Sequence, residues 1–109
     1  MIGISKFAWH VTPSINVDSI FKTGLKPHSP EPDGDFAISL FKTQKDAFEQ
    51  TNLWLRNKWS GQSLTILCVN ICDLHLTETS KYEIVTTNAE NINPNRISIA
   101  CESFELQVA

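Results

Sequence analysis

The chain has 109 residues, 41% of them hydrophobic and 19% charged. That balance fits one globular domain over 1–109 and argues against disorder, which goes with few apolar residues and high net charge. The net charge of −3 argues against a sequence-independent nucleic-acid binder, which needs a cationic surface to displace counterions, and leaves room for an enzyme with a local basic cleft.

The first ten residues, MIGISKFAWH, lack the basic start and long apolar run of a secretory signal. No stretch reaches the length needed to cross a bilayer. Three cysteines is an odd number for a secreted fold of this size, which usually pairs them. The expectation is a reduced, cytoplasmic protein without a membrane association.

Phe7, Trp9 and Val11 alternate with Ala8, His10 and Thr12, the period-2 pattern of a strand that Pro13 ends. Ser14 stands where a hydroxyl caps a helix, and Val17, Ile20 and Phe21 then share one helical stripe. Gly24 suits the position just past the helix end, with Leu25 packing back on Ile20. His28 to Asp35 is dense in Pro, Gly and acid and reads as a loop. Phe36 to Phe41 reads as a strand with Phe36, Ile38 and Leu40 on one face. Thr43 and Asp46 then form a capping-box variant opening a helix over 44–58, with Ala47, Phe48, Thr51, Trp54 and Leu55 inward.

Leu64 to Ile71 is the most strand-like run, rich in branched residues and expected inside a sheet. Asp73 to Thr79 reads as a turn and irregular connector, Tyr82 to Thr86 as a strand, and Asn88 to Asn95 as a polar loop. Ile97 to Ala100 and Phe104 to Val108 read as a closing hairpin that turns at Glu102-Ser103. Strand, helix, strand, helix, then several strands is α+β, with two main helices against a mostly antiparallel sheet.

Three places carry candidate chemistry. His10, near a strand end with a helix starting at once, is either a strand histidine satisfied by a neighbour or a side chain opening on a cleft, its ring fixed by Thr12. Glu83, at the start of a strand, is either an exposed edge carboxylate or a fixed one; a fixed carboxylate beside a developing cation lowers a barrier electrostatically. Cys68, Cys72 and His75 do not have the spacing of a standard zinc knuckle, and no metal is expected.

Strand–His10–x–Thr12, a helix with Ile20 near its end, and Gly24-Leu25-Lys26-Pro27 together resemble the opening of the diphtheria-toxin-type ADP-ribosyltransferase superfamily. The likeness is closest to small bacterial DNA-modifying toxins and RNA 2′-phosphotransferase relatives. It implies a compact fold with a split sheet, two small sheets meeting at a cleft that holds NAD. It also implies that His10 holds the adenosine ribose, with Thr12 beside it. Tyr82-Glu83-Ile84-Val85 followed by Ile92-Asn93-Pro94-Asn95-Arg96-Ile97 resembles the third motif of the toxin-like members. There the glutamate bonds the nicotinamide ribose and stabilises an oxocarbenium-like transition state, which makes Glu83 the catalytic residue.

In the middle motif, family members carry a Tyr or a Ser-Thr-Ser run to hold nicotinamide. Ser39 and Phe41 are the stand-ins here, and a phenyl ring can stack but cannot donate a hydrogen bond. Phe36 and Phe41 read equally as core. Arg56 and Arg96 are the only arginines, whereas the phosphotransferase branch relies on several; Arg96 or Lys26 can meet the pyrophosphate or stand as solvated charges.

The expected function is therefore an NAD-using transferase that breaks the nicotinamide–ribose bond. It passes ADP-ribose to a protein, a nucleic acid or water, in the setting of a toxin or a phage or defence factor. His10 and Glu83 are expected to open on one cleft. The alternatives are a non-catalytic module that binds a nucleotide or a protein, and a toxin's partner or inhibitor.

Overall fold

The computed structural model describes residues 6–26, 38–54, 61–86 and 91–105. Among them are strands β1 (Phe7–Pro13), β2 (Ser39–Phe41), β3 (Ser63–Asn70), β4 (Leu76–Glu78), β5 (Glu83–Thr86) and β6 (Ile97–Glu105). Helix α1 is Val17–Thr23 and helix α2 is Gln44–Trp54. The strands make one antiparallel sheet in the order β4-β5-β2-β1-β3-β6. The fold class is α+β, as the order of elements predicts. No helix among the described residues is long and apolar enough to cross a membrane.

Alternation along the strands builds two cores. On one face Ala8, Leu40, Leu67, Val69 and Ile84 pack with Ile20 of α1 and with Leu25 and Ile92. On the other Val11, Leu64 and Ile66 pack with Ala47 of α2, joined by half-buried Trp9 and Phe41. The sheet is thus covered by α1 on one side and α2 on the other. This is why β3 reads as a nearly unbroken apolar run: both of its faces are buried.

Local chemistry explains where elements begin and end. The Thr43 hydroxyl accepts from the Asp46 N–H at 3.0 Å, so α2 is capped as its sequence predicts. Ser14 does not cap α1. A short 3-10 turn over Ser14–Asn16 leads into that helix, and the Ser14 hydroxyl turns to β3, 2.8 Å from Thr65 Oγ1 and 3.1 Å from Ser63 Oγ. Gly24 ends α1 at φ 87° and ψ 178°, a region closed to side-chain-bearing residues, and lets Leu25 pair with Ile92 through both backbone bonds.

The expected closing hairpin is instead the continuous strand β6. Leu67 faces Ile99, Ile66 faces Cys101 and Leu64 faces Phe104, so β6 absorbs extra residues as irregularities against β3. The Thr65 hydroxyl donates to the Glu102 carbonyl at 2.6 Å, so Glu102-Ser103, which reads as a turn, is a bulge held from the neighbouring strand. The stretch expected as an irregular connector after Asp73 contains β4. Phe36, the loop of 28–35 and residues 55–58 of the expected helix lie outside the described residues.

Candidate functional site

The sheet is held unevenly. β1 runs along β3 from Phe7–Asn70 to Pro13–Leu64, yet it meets β2 at one register pair, Trp9–Phe41. Lys42 N–H donates to the Tyr82 carbonyl and Thr86 N–H to the Ile38 carbonyl. Antiparallel ladders alternate, so the backbone groups of Ser39 and Phe41 point the other way, toward β1. Phe41 finds Trp9 there. At Ser39 the ladder has stopped, and the imidazole of His10 fills the gap, with Nδ1 2.8 Å from the Ser39 carbonyl oxygen. The β1–β2 ladder thus ends beside Trp9–Phe41, and His10 stands at its end.

A carbonyl oxygen only accepts, so Nδ1 carries the proton and donates. A neutral His10 then presents Nε2 as an acceptor. The ring is half-buried, and burial lowers its pKa below the ordinary value, opposed by the bond to Ser39. Its register partner is Leu67, and Ala8 and Thr12 flank it on the same face, both buried. Burial beside Ala8 and Leu67, with no ion pair to the ring among the described residues, favours the uncharged form.

Glu83 opens β5 directly after the hairpin from β4. The hairpin places it tightly: Thr79 N–H donates to the Glu83 carbonyl at 3.1 Å, and the Ser80 hydroxyl accepts from Glu83 N–H at 3.2 Å. The Thr79 hydroxyl donates to Glu83 Oε1 at 2.9 Å and so orients the half-buried carboxylate. Nearby, Lys42 pairs with Glu78 at 2.8 Å, so that lysine's charge is engaged by another acid.

Trp9, Phe41 and Glu83 form one row across three strands. Residues in register share a side of the sheet, and Trp9 and Phe41 both pack on the α2 core. Glu83 therefore leaves on the α2 side, while His10, one residue from Trp9, leaves on the α1 side. The expectation that His10 and Glu83 open on one cleft is corrected by this odd offset in register, which sends them to opposite faces of the sheet. At about 4.8 Å per strand spacing, their strands are only about 10 Å apart.

The remaining expected site residues divide. Ser39 is exposed and contributes its carbonyl to His10. Phe41 is both half-buried core and neighbour of Glu83, so the two readings of it coexist. Thr12 is buried, its hydroxyl 3.5 Å from the Pro13 carbonyl; the ring of His10 is fixed by Ser39 instead. Arg96 donates to the carbonyls of Asn70 at 3.2 Å and Cys72 at 2.7 Å and so braces the end of β3. Lys26 is exposed at the rim of a depression of about 250 Å³ along α1.

The Cys68 thiol is pushed up by burial, partly offset by a bond from Ser98, which disfavours the nucleophilic thiolate. Among the described residues, His, Cys, Asp and Glu side chains do not gather in threes able to hold a metal ion. Two contributors went unforeseen, Trp9 and Thr79. Trp9 stands in a strand pattern that says nothing of its partner strand. Thr79, four residues before Glu83, is the usual position from which a hairpin hydroxyl reaches back. Comparison with family models, curated proteins and solved structures returned no match.

Proposed function

We propose that the protein is an ADP-ribosyltransferase-like enzyme that binds NAD beside His10, where the β1–β2 ladder ends. The observation that carries this reading is the His10 imidazole standing on the Ser39 carbonyl where the two strands part. The two small sheets that the resemblance implies are replaced by one continuous six-stranded sheet in which β2 and β1 are paired neighbours, so the support for this reading is the histidine and not the sheet architecture. His10 and Glu83 leave on opposite faces of the sheet, which counts against one dinucleotide touching both; on the resemblance alone, His10 is assigned to the adenosine ribose and Glu83 to the nicotinamide ribose.

In the reaction the C–N bond to nicotinamide breaks, and its electron pair leaves with the nicotinamide as a neutral ring. Positive charge develops on the ribose. Glu83, oriented by Thr79, accepts a bond from a ribose hydroxyl and stabilises that charge without itself reorganising. An acceptor nucleophile on a protein, a nucleic acid or water attacks C1′ and gives its proton to solvent. The setting we propose is that of a toxin or a phage or defence factor. The second reading is a non-catalytic nucleotide-binding module, and the same opposite placement of His10 and Glu83 favours it.

Nicotinamide release on incubation with NAD tests the proposal. Glu83→Gln is expected to leave NAD binding intact and to lower kcat on the order of 100-fold or more, since the amide keeps shape and loses charge. Glu49→Gln, on the outer side of α2, serves as the control. Equal effects of the two substitutions would remove Glu83 from the chemistry. NAD binding without turnover would leave the module reading in its place.

A further inference from the structure

We infer that the fold contains a pH-sensitive clip: neutral His10 holds β2 against β1 through the Ser39 carbonyl, and a second proton on its ring releases β2. The clip needs no bound nucleotide and is independent of the proposed function. β2 is three residues long and meets β1 at the single register pair Trp9–Phe41, whereas β1 pairs with β3 all the way from Phe7 to Pro13. Carried one step further, the β1–β2 ladder would set Ser39 opposite Val11. The Ser39 carbonyl instead accepts the His10 Nδ1 proton at 2.8 Å, so a side chain takes the place of the next backbone bond.

Neighbours of the ring do not compensate a charge on it. Ala8 and Thr12 flank it on β1, Leu67 faces it from β3, and Leu40 of β2 and Ile20 of α1 belong to the core on that side. Asp18 and Lys22, the ionisable side chains of α1, are exposed. Cys68 of β3 and Glu83 of β5 leave on the α2 side. Lys42, just past the opposite end of β2 from Ser39, is paired with Glu78 at 2.8 Å. A second proton therefore charges the ring among apolar side chains, and burial opposes it. Release of β2 returns the ring to water. The open form then binds more protons than the closed one, so opening is favoured as pH falls below 6.5.

Native-state hydrogen exchange by NMR on the full chain tests the clip. Alternation makes Trp9 and Phe41 a hydrogen-bonded pair, so their amides report the β1–β2 junction, while those of His10 and Leu67 report β1–β3. At pH 7.5 the Trp9 and Phe41 amides are expected to be about tenfold or more less protected than His10 and Leu67. Their exchange should be nearly insensitive to low urea, the mark of a local opening. Corrected for intrinsic exchange, their protection should begin to fall near pH 6.5, by at most about tenfold per pH unit. It should level off where the ring signals of folded His10 titrate. His10→Asn leaves an amide donor for Ser39 that takes no proton, and the fall should vanish there. Equal protection at the two junctions overturns the clip, since β2 would then leave only when the whole chain unfolds. A pH-independent β1–β2 junction, or the same fall in His10→Asn, overturns it as well. Should His10→Asn not fold, the wild-type protection and ring titration still decide.

Discussion

At the scale of single residues, His10 matters through its proton. Its folded-state pKa lies below the ordinary value of 6.5 because burial disfavours the charge. In the unfolded chain it takes a proton near 6.5. Between the two values the unfolded state binds more protons, so stability rises with pH through that window. The contribution is fully present above 6.5 and is lost as pH falls toward the folded-state value. Urea midpoints measured at about pH 7.5 and pH 5.5 should therefore fall more in the wild type than in His10→Asn. A single group bounds the difference in slope at about 1.4 kcal/mol per pH unit. Equal losses in both proteins would assign the titration to another residue. Glu83 acts differently: its place depends on a hydroxyl bond from Thr79.

At the scale of elements, two helices end and pack for reasons that single substitutions expose. A Cβ on Gly24 would run into the Ile92 carbonyl and approach Pro94 Cδ to 3.2 Å, and φ is 87°. Gly24→Ala is expected to destabilise by about 2–4 kcal/mol through strain and the broken Leu25–Ile92 pairing, read as a lowered midpoint in urea. Tolerance within about 0.5 kcal/mol would mean that the α1 stop relaxes freely. In α2, Thr51 is fully buried and its hydroxyl has no hydrogen-bond partner among the described residues. Thr51→Val keeps the shape and removes an unsatisfied polar atom, so it should stabilise by about 1 kcal/mol in the same assay. A loss of stability there would reveal a bond that the hydroxyl makes in solution.

At the scale of the whole molecule, β2 is the joint. It pairs with β5 at three register positions and with β1 at one. Leu40 is fully buried beside that joint, in the core shared with Ala8 and Ile84. Leu40→Ala is expected to cost about 2–5 kcal/mol as lost transfer energy plus a cavity. A single cooperative transition should persist. Two separated transitions would mean that the halves of the sheet unfold independently.

The α+β class, the strand over 7–13, the capped start of α2, the buried run of β3 and the strand that opens at Glu83 were all legible in the sequence. Each depends on spacing within a few residues: alternation, a hydroxyl three residues before an N–H, or a glycine at a helix end. His10 and Glu83 could be singled out in the same way, as residue types at strand ends. What pairs with what could not be read locally. The stop of the β1–β2 ladder after Trp9–Phe41, the Ser39 carbonyl left for His10, and the odd offset that sends His10 and Glu83 to opposite sides are facts of register between distant segments. Likewise Ser14 carries good capping chemistry, but the tertiary structure offers its hydroxyl Thr65 and Ser63 instead. Glu102-Ser103 has turn chemistry, but pairing along β3 holds it as a bulge in one long strand. Local preferences of about 1 kcal/mol yield wherever a long ladder or a buried hydroxyl network offers more, and only the assembled sheet contains those offers.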